Sequence, residues 1–246
     1  MLTASGCAFW RLDESKQLVR ASAPFNATPP QQSASLLVVG DSTAVGTGAS
    51  NPQGSLAGQI ARTYPNLRIV NLARNGAKFG EIAMQLAATE RFDIILIQGG
   101  GNDVIRLTGE STLRDDIDRA VLRAVARSNH VIVMPAGNVG NVPFFFPPVS
   151  WLMSQRTRLL HRLASESARA HGATFVDVYR ERAVDPFAQE PERMNASDHL
   201  HPSDAGYAFW LTELERQAGI SRIIAASAKI TAVNPAGSAA PRPSNQ

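Results

Sequence analysis

Five short apolar runs separated by amphipathic stretches constrain this chain more than any other feature. The runs are Leu36–Val39, Arg68–Leu72, Asp93–Gln98, His130–Met134 and Thr174–Val178. They are rich in β-branched residues and do not alternate with polar ones, which suits strands covered on both faces. Helices are expected between and after them, near 55–63, 80–89, 112–128, 151–171 and 204–217. In the 112–128 stretch Leu113, Ile117, Val121 and Val125 recur every four residues and so lie along one helical face. Strand and helix in alternation predict an α/β fold, a parallel five-stranded sheet with helices on both sides.

The ends of the chain read differently. Residues 1–35 are polar and carry Pro24, Pro29 and Pro30, so an extended, loosely packed N-terminal arm is expected there. The domain is expected over 36–220. Residues 221–246 are expected to form a largely disordered tail. From about Val233 the composition is too poor in apolar side chains to offset the entropy of ordering. At 246 residues and 44% hydrophobic content, one sizeable core fits the remainder.

Chemistry-bearing residues sit on this map at corresponding places. The first run leads into Gly40-Asp41-Ser42. Asn75-Gly76 follows the second, and Gly99-Gly100-Gly101-Asn102-Asp103 the third. Asp198-His199-Leu200-His201-Pro202 lies beyond the fifth. In a parallel sheet every strand points the same way, so these segments are delivered to one sheet edge. In open α/β sheets ligands collect at that edge. Together the segments supply a nucleophile, oxyanion donors, a base and a carboxylate.

A serine hydroxyl needs an adjacent base to attack near neutral pH, and histidine is suited to that role. Of the five histidines, His130 opens a strand, and His161 and His171 fall on a helix. His199 and His201 compete for the base role. Asp198 favours His201, because its carboxylate can accept from one ring nitrogen while the other faces Ser42. Gly76 offers a bare backbone amide at close approach, and Asn102 an uncharged side-chain donor. Asp41 and Asp103 adjoin these residues and are expected to hold turns through loop amides. A further apolar stretch, Phe144, Phe145 and Phe146 with Trp151 beyond it, leaves the fourth run at the same edge. It reads equally as a substrate-binding acyl wall and as a loop pinned to the body.

These segments resemble the SGNH hydrolases, the GDSL esterase/lipase family, from about Leu36 to about Gly219. The resemblance implies a three-layer α/β/α flavodoxin-like fold with strand order 2-1-3-4-5. It implies a serine hydrolase cleaving carboxylic acyl esters through a Ser-His-Asp triad and an acyl-enzyme, with no cofactor and no metal. By matching positions, Ser42 is the nucleophile, and Asp198 and His201 complete the triad. The Ser42 amide, Gly76 and Asn102 form the oxyanion hole. One departure is Thr43, where many members carry leucine.

Other functions fit less well. The Gly40–Gly48 loop lacks dinucleotide-loop spacing and contains no P-loop Gly-Lys-Ser/Thr. Ala44 replaces the last glycine of a Gly-x-Ser-x-Gly elbow. An acyltransferase with the same triad, or a non-catalytic ligand-binding module on this fold, are the alternatives. A net charge of +3 without a basic run gives no nucleic-acid footprint. The expected partner is a small-molecule or lipid ester. One cysteine excludes an intrachain disulfide. No stretch approaches the roughly 20 apolar residues of a spanning helix. Met1–Cys7 lacks the basic start and apolar region of a signal peptide. The default expectation is therefore cytoplasmic, with export or lipid anchoring the alternative if the natural start lies upstream.

Overall fold

The computed structural model describes residues 4–233. Its sheet has five parallel strands: β1 (Ala34–Gly40), β2 (Leu67–Asn71), β3 (Ile94–Gly99), β4 (His130–Pro135) and β5 (Thr174–Phe175). Their spatial order is β2-β1-β3-β4-β5, the order the resemblance implies. Register runs continuously through the centre: Leu36 of β1 pairs with both Ile69 of β2 and Ile94 of β3.

The period-2 geometry of a strand sorts neighbouring residues onto opposite faces. Leu37, Val39, Ile95, Ile97, Val131 and Val133 face one core. Leu36, Val38, Ile94, Leu96, Ile132 and Met134 face the other. Both sets are buried, which explains why the runs show no alternation. Before the sheet lies α1 (Ala4–Ala21). α2 (Leu56–Thr63) packs on the second core through Ile60. α3 (Phe79–Gln85), α4 (Glu110–Val125) and α5 (Val149–Ala170) cover the first, through Ile82, Ile117 and Leu160. α6 (Asp204–Ala218) returns to the second, with Tyr207, Trp210 and Leu214 inward. No helix among the described residues is long and apolar enough to cross a membrane.

Three expectations change. The segment expected as an extended arm over 1–35 is helical over Ala4–Ala21. Only the part after it is extended, and there Ala27 bridges Ile69 and covers the outer edge of β2. The tail expected over 221–246 begins as a helix, α7 (Ile220–Val233). Ile220 and Ile224, one turn apart, are buried in the second core. This apolar pair outweighs the small-residue composition around it; residues 234–246 lie outside those described. β5 pairs for two residues only, against the five-residue run expected. The last bond to β4 is the Val176 amide on the Val133 carbonyl at 2.9 Å, and the outward-facing Asp177 amide is taken by the Gln217 side chain of α6 at 2.8 Å.

Candidate active site

The turn that carries Ser42 is shaped by steric exclusion at Gly40. A Cβ there would fall 1.8 Å from the Gln98 carbonyl oxygen, so only glycine lets β1 pass β3 at this point. Asp41 then caps the short helix Ser42–Val45. Its Oδ1 accepts from the Thr43 amide at 2.9 Å and the Thr43 hydroxyl at 2.8 Å. Its Oδ2 accepts from the Gly101 amide at 3.2 Å. One carboxylate therefore ties the Ser42 turn to the loop that carries Asn102. Burial pushes the Asp41 carboxyl above its ordinary value, against these bonds and the nearby His201. Asp103 is buried likewise and accepts from the Phe79 amide at 2.9 Å, fastening the Asn102 loop to α3.

His201, the expected base, lies in a tight loop after β5. Asn195 and Pro202 form an antiparallel bridge, the Ala196 amide bonds the His201 carbonyl, and His199 takes a left-handed backbone, φ 57°. This reversal, uncommon for a non-glycine residue, brings Asp198 and His201 together. His201 Nδ1 lies 2.6 Å from Asp198 Oδ2. Its Nε2 lies 2.9 Å from Ser42 Oγ. Asp198 Oδ1 accepts from the Leu200 and His201 amides, each at 3.0 Å. Burial pushes the Asp198 carboxyl up, but the bond and charge of His201 and the two backbone amides outweigh it. The net result holds Asp198 below the ordinary carboxylate range.

Ser42, Gly76, Asn102 and His201 line one cavity of about 280 Å³. Asp198 lies behind His201, fully buried. Gly76 has φ 79°, a left-handed conformation that lets the Asn75-Gly76 turn present its backbone to the cavity. Among the described residues no group of three or more His, Cys, Asp or Glu side chains is arranged to hold a metal ion.

The expected apolar wall is elsewhere. Phe144, Phe145, Phe146 and Trp151 do not line the cavity at Ser42. Phe145, Phe146 and Trp151 border a neighbouring groove, while the Phe144 amide donates to the His199 carbonyl at 3.0 Å. Phe145 packs on the first core and Phe146 is 61% exposed, so the segment is pinned to the body. The apolar lining at Ser42 comes instead from Val139, Val142, Phe187, Leu200 and Trp210. Val139 and Val142 follow β4 at the catalytic edge, a placement the sequence carried. Phe187 and Trp210 have no local signal, because only packing turns them toward Ser42.

A model of the GDSL-like lipase/acylhydrolase family matches residues 38–209. The chain belongs to this family. As a GDSL-like acylhydrolase it is a carboxylic ester hydrolase. Among solved structures it is similar to TesA, with 22% identity and a TM-score of 0.56 over 74% of this chain and 97% of that one. It is similar to Axe2, an acetylxylan esterase from Geobacillus stearothermophilus, at 20% identity and TM-score 0.55, covering 78% and 97% of the two chains. It is also similar to an extracellular lipase from Streptomyces rimosus, at 17% identity and TM-score 0.57, covering 75% and 99%. At these identities the likeness is one of fold. No curated protein matches the sequence.

Proposed function

We propose that this GDSL-like hydrolase cleaves carboxylic esters through an acyl-enzyme on Ser42. The observation that carries the reading is the chain of contacts Asp198–His201–Ser42, at 2.6 Å and 2.9 Å. Ser42 Oγ attacks the ester carbonyl carbon as its proton passes to His201 Nε2. Asp198 keeps the imidazole oriented and stabilises its cationic form without taking the proton. The former carbonyl oxygen becomes an oxyanion facing the Ser42 and Gly76 amides and the Asn102 side chain. A preorganised donor of this kind lowers the barrier by about 2.7–4 kcal/mol. Collapse breaks the ester C–O bond, and the alcohol leaves with the proton held by His201. Water then repeats the sequence on the acyl-enzyme and releases the acid.

The test is hydrolysis of a chromogenic ester series by wild type and Ser42→Ala, with fluorophosphonate labelling alongside. Loss of turnover in Ser42→Ala by a factor on the order of 10⁴–10⁶ is expected, together with loss of labelling. Hydrolysis that persists in Ser42→Ala removes the nucleophile from this reading.

A further inference from the structure

The cavity at Ser42 has one wall that comes from outside the matched family region. α1 (Ala4–Ala21) precedes residues 38–209, yet Ser15 and Val19 line the cavity beside Asn75, Gly76 and His201. The two are four residues apart, so they lie one above the other on a single helical face. Ser15 is buried although it belongs to a helix near the chain end, and Val19 is half-buried.

α1 is fastened to three of the loops that build the site. On the base loop, the Ser197 hydroxyl donates to Glu14 at 2.6 Å. On the oxyanion loop, Asn75 Nδ2 donates to the Val19 carbonyl and the Ser22 hydroxyl, both at 3.2 Å. On the nucleophile loop, the Ser22 and Thr47 hydroxyls lie 2.9 Å apart, and Thr47 donates to Asn75 Oδ1 at 2.8 Å. The Asn75 amide is thus gripped from both ends, one residue before Gly76. Bonds at both ends of the Ser15–Val19 face make it a fixed boundary.

We propose that α1 is a structural wall of the substrate site, with Ser15 and Val19 setting the upper size limit of the ester, so that compact esters are the substrate class. This rests on the hydrolase reading above. The cavity of about 280 Å³ falls just under the roughly 300–1,000 Å³ that drug-sized ligands occupy. Relieving Val19 extends the space along the α1 face, and adding bulk at Ser15 shortens it.

The experiment uses the full chain as wild type, Val19→Ala and Ser15→Leu. Two substrate series are run: aryl esters of acyl chains from acetyl to octanoyl, and acetates of alcohols of increasing size. The readout is the ratio of kcat/KM for the largest member to that for the smallest. Val19→Ala is expected to raise this ratio about tenfold in one series, and Ser15→Leu to lower it by a similar factor, as one methylene in an apolar pocket is worth about 10–200-fold. The series that responds identifies which side of the ester meets α1. Ser42 labelling rates with short and long alkyl fluorophosphonates read the same ratio without turnover. Wild type that hydrolyses esters while both variants keep its ratios, within about twofold against that expected range, overturns the wall alone. Wild type that neither hydrolyses nor labels overturns the hydrolase reading and the wall with it.

Discussion

Asp41, next to Ser42 in the chain, and Asp198, behind His201, are both buried at one site, yet their acidities move in opposite directions. Asp198 faces the His201 ring and two amides, and these outweigh its desolvation. Asp41 receives only neutral donors at short range, and burial wins. Asp198 is therefore suited to remain an anion under the imidazolium that the proposed attack by Ser42 forms. Since its folded-state value lies below its unfolded one, its contribution to stability is complete above the ordinary carboxylate value. That contribution is lost as pH falls through the folded value. Asp198→Asn should accordingly be less stable than wild type near neutral pH, with the gap closing under acid. Urea unfolding across a pH series checks this, and a pH-independent gap contradicts it. The choice between histidines is tested at the same scale. His201→Ala should lose turnover by a factor on the order of 10⁴–10⁶, whereas His199→Ala should keep most of it, measured as kcat on one ester. Asp198 and His201 were legible in the sequence because they stand three positions apart in one loop. The bond from Asp41 to Gly101 was not, since it joins residues 60 apart whose proximity depends on β1 pairing with β3.

At the scale of elements, the Phe144–Phe146 segment, readable equally as an acyl wall and as a pinned loop, borders a groove beside the Ser42 cavity rather than that cavity itself. It does leave β4 at the catalytic edge, but its first amide bonds the base loop and its middle ring enters the first core. Trimming Phe145 and Phe146 to alanine should leave acyl-length preference unchanged while lowering stability. Profiles of kcat/KM against chain length, with thermal unfolding beside them, separate the two effects; a shifted length optimum restores the acyl-wall role. The helices α2 to α6 fall close to their expected spans because each carries a strong apolar face. β5 falls short of its five-residue run because it pairs with β4 only at Thr174 and Phe175, and strand periodicity holds no record of where a neighbouring strand stops following it.

For the whole molecule, α1 and α7, the first and last described elements, are integrated into the fold rather than appended to it. α7 adds Ile220 and Ile224 to the second core against β1-side residues such as Leu36 and Val38. Ile220→Ala should cost about 2–5 kcal/mol, the range for emptying a fully buried isoleucine site. Denaturant titration checks it, and a change below about 1 kcal/mol would mean that α7 packs only marginally. Since α7 lies away from the Ser42 cavity lining, kcat of the folded fraction should hold.

The sequence alone determined the strands, most helices, the parallel sheet and the loops that meet at its edge. It also singled out the candidate reacting residues, through short motifs in the loops that follow the strands. These depend on local periodicity and on spacing within a loop, which a linear chain records directly. Tertiary structure alone decided which apolar residues wall the cavity, and that α1 closes it. It also decided that Asp41 ties the Ser42 turn to the Gly101-Asn102 segment. Those features depend on contacts between distant segments, whose meeting follows from packing energy and strand order rather than from any pattern along the chain.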